Sequence, residues 1–89
     1  IHNGYFERAQ SGTLIIDELT NLNELAQKLI LSVLEQDEFI RSGGHKPIKL
    51  QARILATINA DYESRIKTGT LKIELILNLN TLIFLKFQI

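Results

Sequence analysis

The stretch that decides the fold is Gly12-Thr13-Leu14-Ile15-Ile16-Asp17-Glu18, an apolar run that ends in two adjacent carboxylates. Three consecutive large aliphatic residues are typical of a strand that is buried on both faces, as in a parallel α/β sheet. Ligands bind beyond the carboxyl ends of the strands in such sheets, and Asp17 and Glu18 would emerge there. Two carboxylates side by side are costly unless a cation or a reacting water uses them.

An aliphatic strand followed by two acids is the pattern of a Walker B segment. In nucleotide-hydrolysing proteins, the first acid holds the Mg²⁺ of the bound nucleotide and the second polarises the attacking water. The pattern therefore predicts Asp17 as a magnesium residue and Glu18 as a catalytic carboxylate. The alternative is that both acids are solvated at the start of a loop, and this segment alone leaves that alternative open.

The composition sets limits on size and partners. The chain has 89 residues, enough for one small domain or a piece of a larger one, and it begins with Ile1, which predicts a start inside a domain. Ten basic and ten acidic residues cancel, so we expect no direct DNA binding by this segment. The absence of cysteine is compatible with a cytoplasmic location. No apolar run approaches the roughly 20 residues that span a bilayer, so no membrane partner is expected.

Apolar residues at helical spacing predict one long helix after the acidic pair. Asn21 is its predicted N-cap, with Glu24 as the return partner of a capping box. We interpret the apolar face as core packing. Its residues are Leu22, Leu25, Ala26, Leu29, Ile30, Val33 and Leu34.

Further elements follow in the second half of the chain. Residues 39–50 predict a hairpin with a glycine turn, and residues 53–58 predict a second apolar strand. That strand ends at Asn59 and would pair in parallel with the first strand, which places Asn59 at the same edge as the two acids. A short helix is predicted from Asp61. Residues 71–79 fit either a helix or a strand, and residues 81–87 predict a third strand.

Several segments, in a fixed order, resemble the AAA+ ATPase (sigma-54 interaction) domain of sigma-54-dependent transcriptional activators, which are response regulators and other bacterial enhancer-binding proteins. The resemblance covers nearly the whole chain. The resembling segments are Gly4–Ala9 with Gly12–Leu19 (family pattern GxFExA…GGTLFLDEI), Leu25–Glu35 (LQxKLLRVLQE), Phe39–Gly44 with Lys46–Ile48 (FxRVGGxxPI), and Gln51–Asn59 (DVRxIAATN).

The resemblance implies an α/β fold that is part of the three-layer P-loop NTPase (AAA+) fold, with a parallel sheet and without the Walker A strand-loop-helix. Residues 1–89 would form the central part of the domain, from Walker B to sensor I and the arginine-finger region. The family binds ATP and Mg²⁺, assembles into rings and uses hydrolysis to remodel the sigma-54 RNA polymerase holoenzyme. A parent protein could also carry a receiver domain.

The resemblance also assigns roles to single residues. Asp17 matches the acid that organises Mg²⁺, and Glu18 matches the residue that activates the hydrolytic water. Asn59 matches sensor I, which contacts the γ-phosphate and counts as both a catalytic and a cofactor-binding position. An amide at a strand end can hydrogen-bond a phosphate oxygen. The alternative for Asn59 is a simple turn cap.

The sequence departs from the family pattern at the two arginine-finger positions. Lys72 keeps a positive charge at the first, but an ammonium lacks the fork of donors that a guanidinium presents, and Asn78 carries no charge at the second. The phosphate-binding GxxxxGK[ST] motif and the GAFTGA loop do not occur in these residues. We therefore expect no ATP hydrolysis by this chain alone. The alternative is a degenerate, non-catalytic interaction or regulatory module.

Overall fold

The computed structural model describes residues 3–41, 43–79 and 83–86. The elements, in chain order, are α1 (Asn3–Ala9), β1 (Thr13–Ile16), a short 3-10 helix (Leu19–Asn21), α2 (Glu24–Gln36), β2 (Glu38–Ile40), β3 (Pro47–Lys49), β4 (Arg53–Asn59), α3 (Tyr62–Lys67), α4 (Ile73–Asn78) and β5 (Ile83–Lys86).

Strands β1, β4 and β5 form a parallel sheet in the order β1-β4-β5. Thr13 lies opposite Arg53, and Ile16 lies opposite Ala56. The predicted α/β class and the predicted parallel pairing of the first two strands are therefore confirmed. Because the strands run in the same direction, their carboxyl ends share one edge of the sheet, where β1 gives way to Asp17.

The third predicted strand, residues 81–87, is described only in part. The backbone of β5 pairs with β4, with Ile83 opposite Ala56 and Lys86 opposite Asn59. The rest of this prediction lies outside the described residues.

Strand β1 is not buried on both faces, and that prediction was wrong. Ile16 is 5% exposed and belongs to the core, whereas Ile15 is 63% exposed. Side chains alternate between the two faces of a strand, so the two residues point in opposite directions. The described elements cover the face of Ile16 and leave that of Ile15 largely open.

Helix α2 lays its apolar face on the core through Ala26, Ile30 and Val33. Its N-cap is Asn23, whose Oδ1 accepts a hydrogen bond from the backbone N–H of Ala26 at 2.8 Å. The predicted cap at Asn21 was wrong, because the 3-10 helix extends to Asn21 and delays the start of α2.

The remaining elements settle the open alternatives. Residues 71–79 contain the helix α4, in which Leu75 is buried, and the flanking residues Leu71 and Leu79 are buried too. The predicted hairpin is confirmed as antiparallel strands β2 and β3. Within the described residues, no helix is both long enough and apolar enough to cross a membrane.

Candidate functional site

The two carboxylates that follow β1 point in different directions. Asp17 is exposed, whereas Glu18 is 7% exposed. The backbone at Glu18 is left-handed, with φ 68°, a conformation that residues other than glycine adopt rarely. The chain therefore turns sharply after the strand, and the second acid folds back toward the sheet while the first faces solvent.

Thr57, in the neighbouring strand β4, joins the two acids. Its Oγ1 donates a hydrogen bond to Oδ1 of Asp17 at 2.8 Å and accepts one from the backbone N–H of Glu18 at 2.7 Å. Thr57 comes one residue after Ala56, the partner of Ile16, so the pairing of β1 and β4 places it beside the acids. The sequence reasoning missed this residue. The available signal was a hydroxyl within residues 54–58, which are otherwise apolar.

The carboxylate of Glu18 is held by two donors. Oε2 accepts a hydrogen bond from Thr20 Oγ1 at 2.6 Å and another from the backbone N–H of Asn59 at 3.0 Å. Hydrogen bonds to a charged acceptor are stronger than neutral ones, which stabilises this buried carboxylate. The structure thus brings Asp17, Glu18 and Asn59 to one edge of the sheet, with Asn59 contributing its backbone N–H to Glu18.

The two positions that match arginine fingers lie on another part of the fold. Lys72 is the N-cap residue of α4 and Asn78 is its last residue. Nδ2 of Asn78 donates a hydrogen bond to the carbonyl oxygen of Glu74 at 2.8 Å, one turn earlier in the same helix. In this conformation, the amide of Asn78 is bound to its own helix.

We call the sheet edge that carries Asp17, Glu18 and Asn59 the acid edge. It fits a magnesium ion of the kind that nucleotides carry. Mg²⁺ is usually held by one or two carboxylates, with waters and substrate phosphates supplying the other ligands. Asp17 offers an exposed carboxylate of that kind. Among residues 3–41, 43–79 and 83–86, no group of three or more histidines, cysteines or acids could hold a metal ion by itself. The edge therefore suits an ion that arrives with phosphate oxygens.

The fold and the site together define a parallel α/β domain with an acid pair at the carboxyl-end edge of its sheet. The Sigma-54 interaction domain family matches residues 1–84, and the chain belongs to this family. The suspected resemblance is therefore confirmed, and the chain is a segment of such a domain.

Curated relatives are transcription regulators of bacteria. Regulatory protein AtoC of Escherichia coli (strain K12) is 39% identical over 82 residues, which cover 92% of this chain and 18% of AtoC. Transcriptional regulatory protein FlbD of Caulobacter vibrioides is 40% identical over 77 residues, which cover 86% of this chain and 17% of FlbD. The chain thus spans less than a fifth of the length of these two relatives.

Solved structures of NtrX from Brucella abortus contain the same arrangement of elements. The complex with ADP and the complex with ATP each superpose with a TM-score of 0.79 at 30% sequence identity. Each match covers 92% of this chain and 19% of the NtrX chain. The predicted α/β fold class with a parallel sheet is confirmed by this similarity.

Proposed function

We propose that residues 1–89 are the central part of the AAA+ ATPase domain of a sigma-54-dependent transcriptional regulator. In that family, a ring of subunits couples ATP hydrolysis to remodelling of the sigma-54 RNA polymerase holoenzyme. The observation that carries the proposal is the shared edge, where Oε2 of Glu18 accepts from the backbone N–H of Asn59 across two parallel strands. A cytoplasmic location and a ring of copies of the parent protein belong to the same proposal.

Each residue at the edge has a role that suits its surroundings. Asp17 would bind Mg²⁺, because its carboxylate is exposed and offers oxygen ligands. The ion, when bound, would neutralise charge on the phosphates. Glu18 would polarise the attacking water, because a carboxylate can accept its proton. The side-chain amide of Asn59 would hydrogen-bond a phosphate oxygen.

The chain by itself would not hydrolyse ATP. A GxxxxGK[ST] motif does not occur in its 89 residues, so it lacks that motif's backbone cradle and lysine for the phosphates. Arginine fingers raise hydrolysis rates by roughly 10³ to 10⁵ in related systems, and neither finger position holds arginine here. Titration of the chain with Mg-ATP in a calorimeter should give no binding isotherm. A clear isotherm that Asp17→Ala abolishes would contradict this.

A second candidate function is a non-catalytic interaction or regulatory module derived from the domain. The contact between Asn78 and the carbonyl of Glu74 favours it, because the side chain at a finger position is used within its own helix. The lysine at position 72 favours it too, since an ammonium cannot form the bidentate contact of an arginine.

A graft distinguishes the two candidates. Residues 1–84 replace the matching segment of a sigma-54 activator whose ATP hydrolysis is measurable, either unchanged or with Lys72→Arg and Asn78→Arg. We expect the unchanged graft to bind ATP and to hydrolyse it at background rate, and the arginine pair to restore hydrolysis. Asp17→Ala or Glu18→Gln in the restored graft should abolish it again. If the graft with both arginines folds and binds ATP but does not hydrolyse it, the non-catalytic module is favoured.

A further inference from the structure

Gln27 is a buried polar residue of α2 that is not one of the residues of the acid edge. The residue is 2% exposed. Its Nε2 donates hydrogen bonds to the carbonyl oxygens of Leu22 at 3.0 Å and Thr70 at 2.8 Å, and its Oε1 accepts one from the backbone N–H of Lys72 at 2.9 Å. Both amide hydrogens and the carbonyl oxygen of the side chain are therefore engaged.

Two of these bonds flank Leu71, which is itself buried. Gln27 donates to the carbonyl of the residue before Leu71 and accepts from the N–H of the residue after it. One backbone residue makes the same pair of bonds when it pairs with a neighbouring parallel strand. The side-chain amide thus takes the place of a strand partner for residues 70–72, which belong to no described strand.

The third bond connects this segment to the acid edge. Leu22 is the C-cap of the 3-10 helix, whose member Thr20 holds the carboxylate of Glu18. Lys72, whose backbone N–H donates to Gln27, is the N-cap residue of α4. Gln27 therefore lies between the element that holds the catalytic acid and the residue that starts α4.

We propose that Gln27 is a positioning residue that fixes Lys72 and the start of α4 relative to the acid edge. The proposal rests on the proposed function in one respect: the fixed position of Lys72 matters for hydrolysis only if Lys72 occupies an arginine-finger position. Glutamine is required at this position: glutamate lacks the two N–H donors, asparagine is one methylene shorter, and methionine makes none of the bonds.

Amide hydrogen exchange of the 89-residue chain, followed by NMR, tests the proposal. The measured quantity is the exchange rate of the Lys72 amide divided by that of the amides of β4. We expect Gln27→Met to raise this ratio roughly tenfold, because the N–H loses its acceptor while the side chain keeps its length. The control is Gln36→Met, which makes the same change at an exposed position of α2 and should leave the ratio unchanged.

A second variant separates hydrogen bonding from packing. In Gln27→Glu at neutral pH, an oxygen can still accept from the Lys72 N–H, but the carboxylate has no proton for the carbonyl oxygens of Leu22 and Thr70 and repels them. We expect this repulsion to displace the segment and to raise the ratio. Burial beside two carbonyl oxygens raises the pKa of this carboxyl above the usual glutamate range. As the pH is lowered through that raised pKa, the neutral carboxyl can donate once, and the ratio should fall back toward that of the unchanged chain. The ratio for Gln27→Met should show no such pH dependence.

A Lys72 amide that exchanges in step with β4 in both variants would overturn the proposal. If Gln27→Met unfolds, the amides of β4 lose protection as well. The pH dependence of the ratio in Gln27→Glu then tests the proposal: a ratio that falls as the pH is lowered supports it, and a constant ratio contradicts it. The exchange experiment uses no nucleotide, so its outcome is independent of whether the graft hydrolyses ATP.

Discussion

The hydroxyl oxygen of Thr57 lies 2.8 Å from Oδ1 of Asp17 and 2.7 Å from the backbone nitrogen of Glu18. A single side chain of β4 therefore fixes both the exposed acid and the backbone of the buried one. The placement of the acid pair depends on the pairing of two strands as well as on the turn after β1. This relationship makes Thr57 the first residue to test.

Thr57→Val should destabilise the chain by about 1–2 kcal/mol. Valine has nearly the same shape as threonine, but it leaves the N–H of Glu18 without its acceptor and Asp17 without one donor. Urea denaturation measures the change in the free energy of unfolding. The control is Thr13→Val in β1, where the threonine is exposed, and there we expect a change within about 0.5 kcal/mol. Equal effects at the two positions would contradict a special role for the Thr57 hydroxyl.

The left-handed backbone of Glu18 leads to a prediction about two truncations. Glu18→Ala and Glu18→Gly both remove the carboxylate that Thr20 and Asn59 contact, so both should destabilise the fold. Alanine must also adopt φ 68°, where its Cβ is strained. We therefore expect Glu18→Ala to be less stable than Glu18→Gly by about 1 kcal/mol in denaturant unfolding.

The neighbouring acid supplies the control for that comparison. Asp17 is not among the described residues with positive φ. Glycine should therefore be the worse substitution there, by about 0.5–1 kcal/mol, because of the entropy that it loses on folding. If the alanine variant were less stable than the glycine variant at both positions, backbone strain at Glu18 would not explain the difference there.

The sequence was sufficient to predict those features that depend on periodicity and order. The aliphatic runs before Asp17 and Asn59 indicated two parallel strands, and parallel strands bring their carboxyl ends to one edge. The apolar spacing of α2 indicated Ala26, Ile30 and Val33 as buried, because a helix repeats every 3.6 residues. Leu25 was wrongly included in that face, since it is 77% exposed. The convergence of Asp17, Glu18 and Asn59 follows from these patterns without any knowledge of side-chain geometry.

The features that could not be predicted depend on local geometry or on neighbouring elements. The predicted N-cap of α2 was Asn21, but the structure has Asn23, because a 3-10 helix ends at Asn21. Asparagine is a suitable cap at either position, so the sequence alone does not distinguish them. The exposure of Ile15 depends on which elements cover each face of β1. The role of Thr57 depends on a register that is fixed only when the two strands have paired.

Asp37 offers a site at which one substitution should stabilise the chain. It is the C-cap of α2, with φ 57°, and its backbone N–H donates to the carbonyl of Val33 at 2.8 Å. Glycine adopts this conformation without strain, and removing a carboxylate from a helix C-terminus also relieves repulsion with the helix dipole. Asp37→Gly should raise the free energy of unfolding by about 0.5–1 kcal/mol. Gln36→Gly, one residue earlier at the last position of α2, should lower it, because glycine loses more conformational entropy there. Destabilisation by Asp37→Gly would show that its side chain contributes more than the backbone conformation costs.

The outer edge of β1 should promote association between copies of this chain. Among the described strands, β1 stands at one end of the sheet order, and its residue Ile15 is 63% exposed. An edge strand offers backbone groups to a second strand, and the exposed side chain of Ile15 adds apolar surface on one face of that strand. A lysine at this position opposes pairing because its charge would have to be brought beside the incoming strand. Ile15→Lys should therefore shift the weight-average sedimentation coefficient toward that of a monomer. The control is Leu25→Lys, which adds the same charge at a leucine of α2 that is 77% exposed and should leave association unchanged. A similar decrease with both variants would indicate a general effect of charge, and no decrease with Ile15→Lys would exclude the β1 edge as the contact.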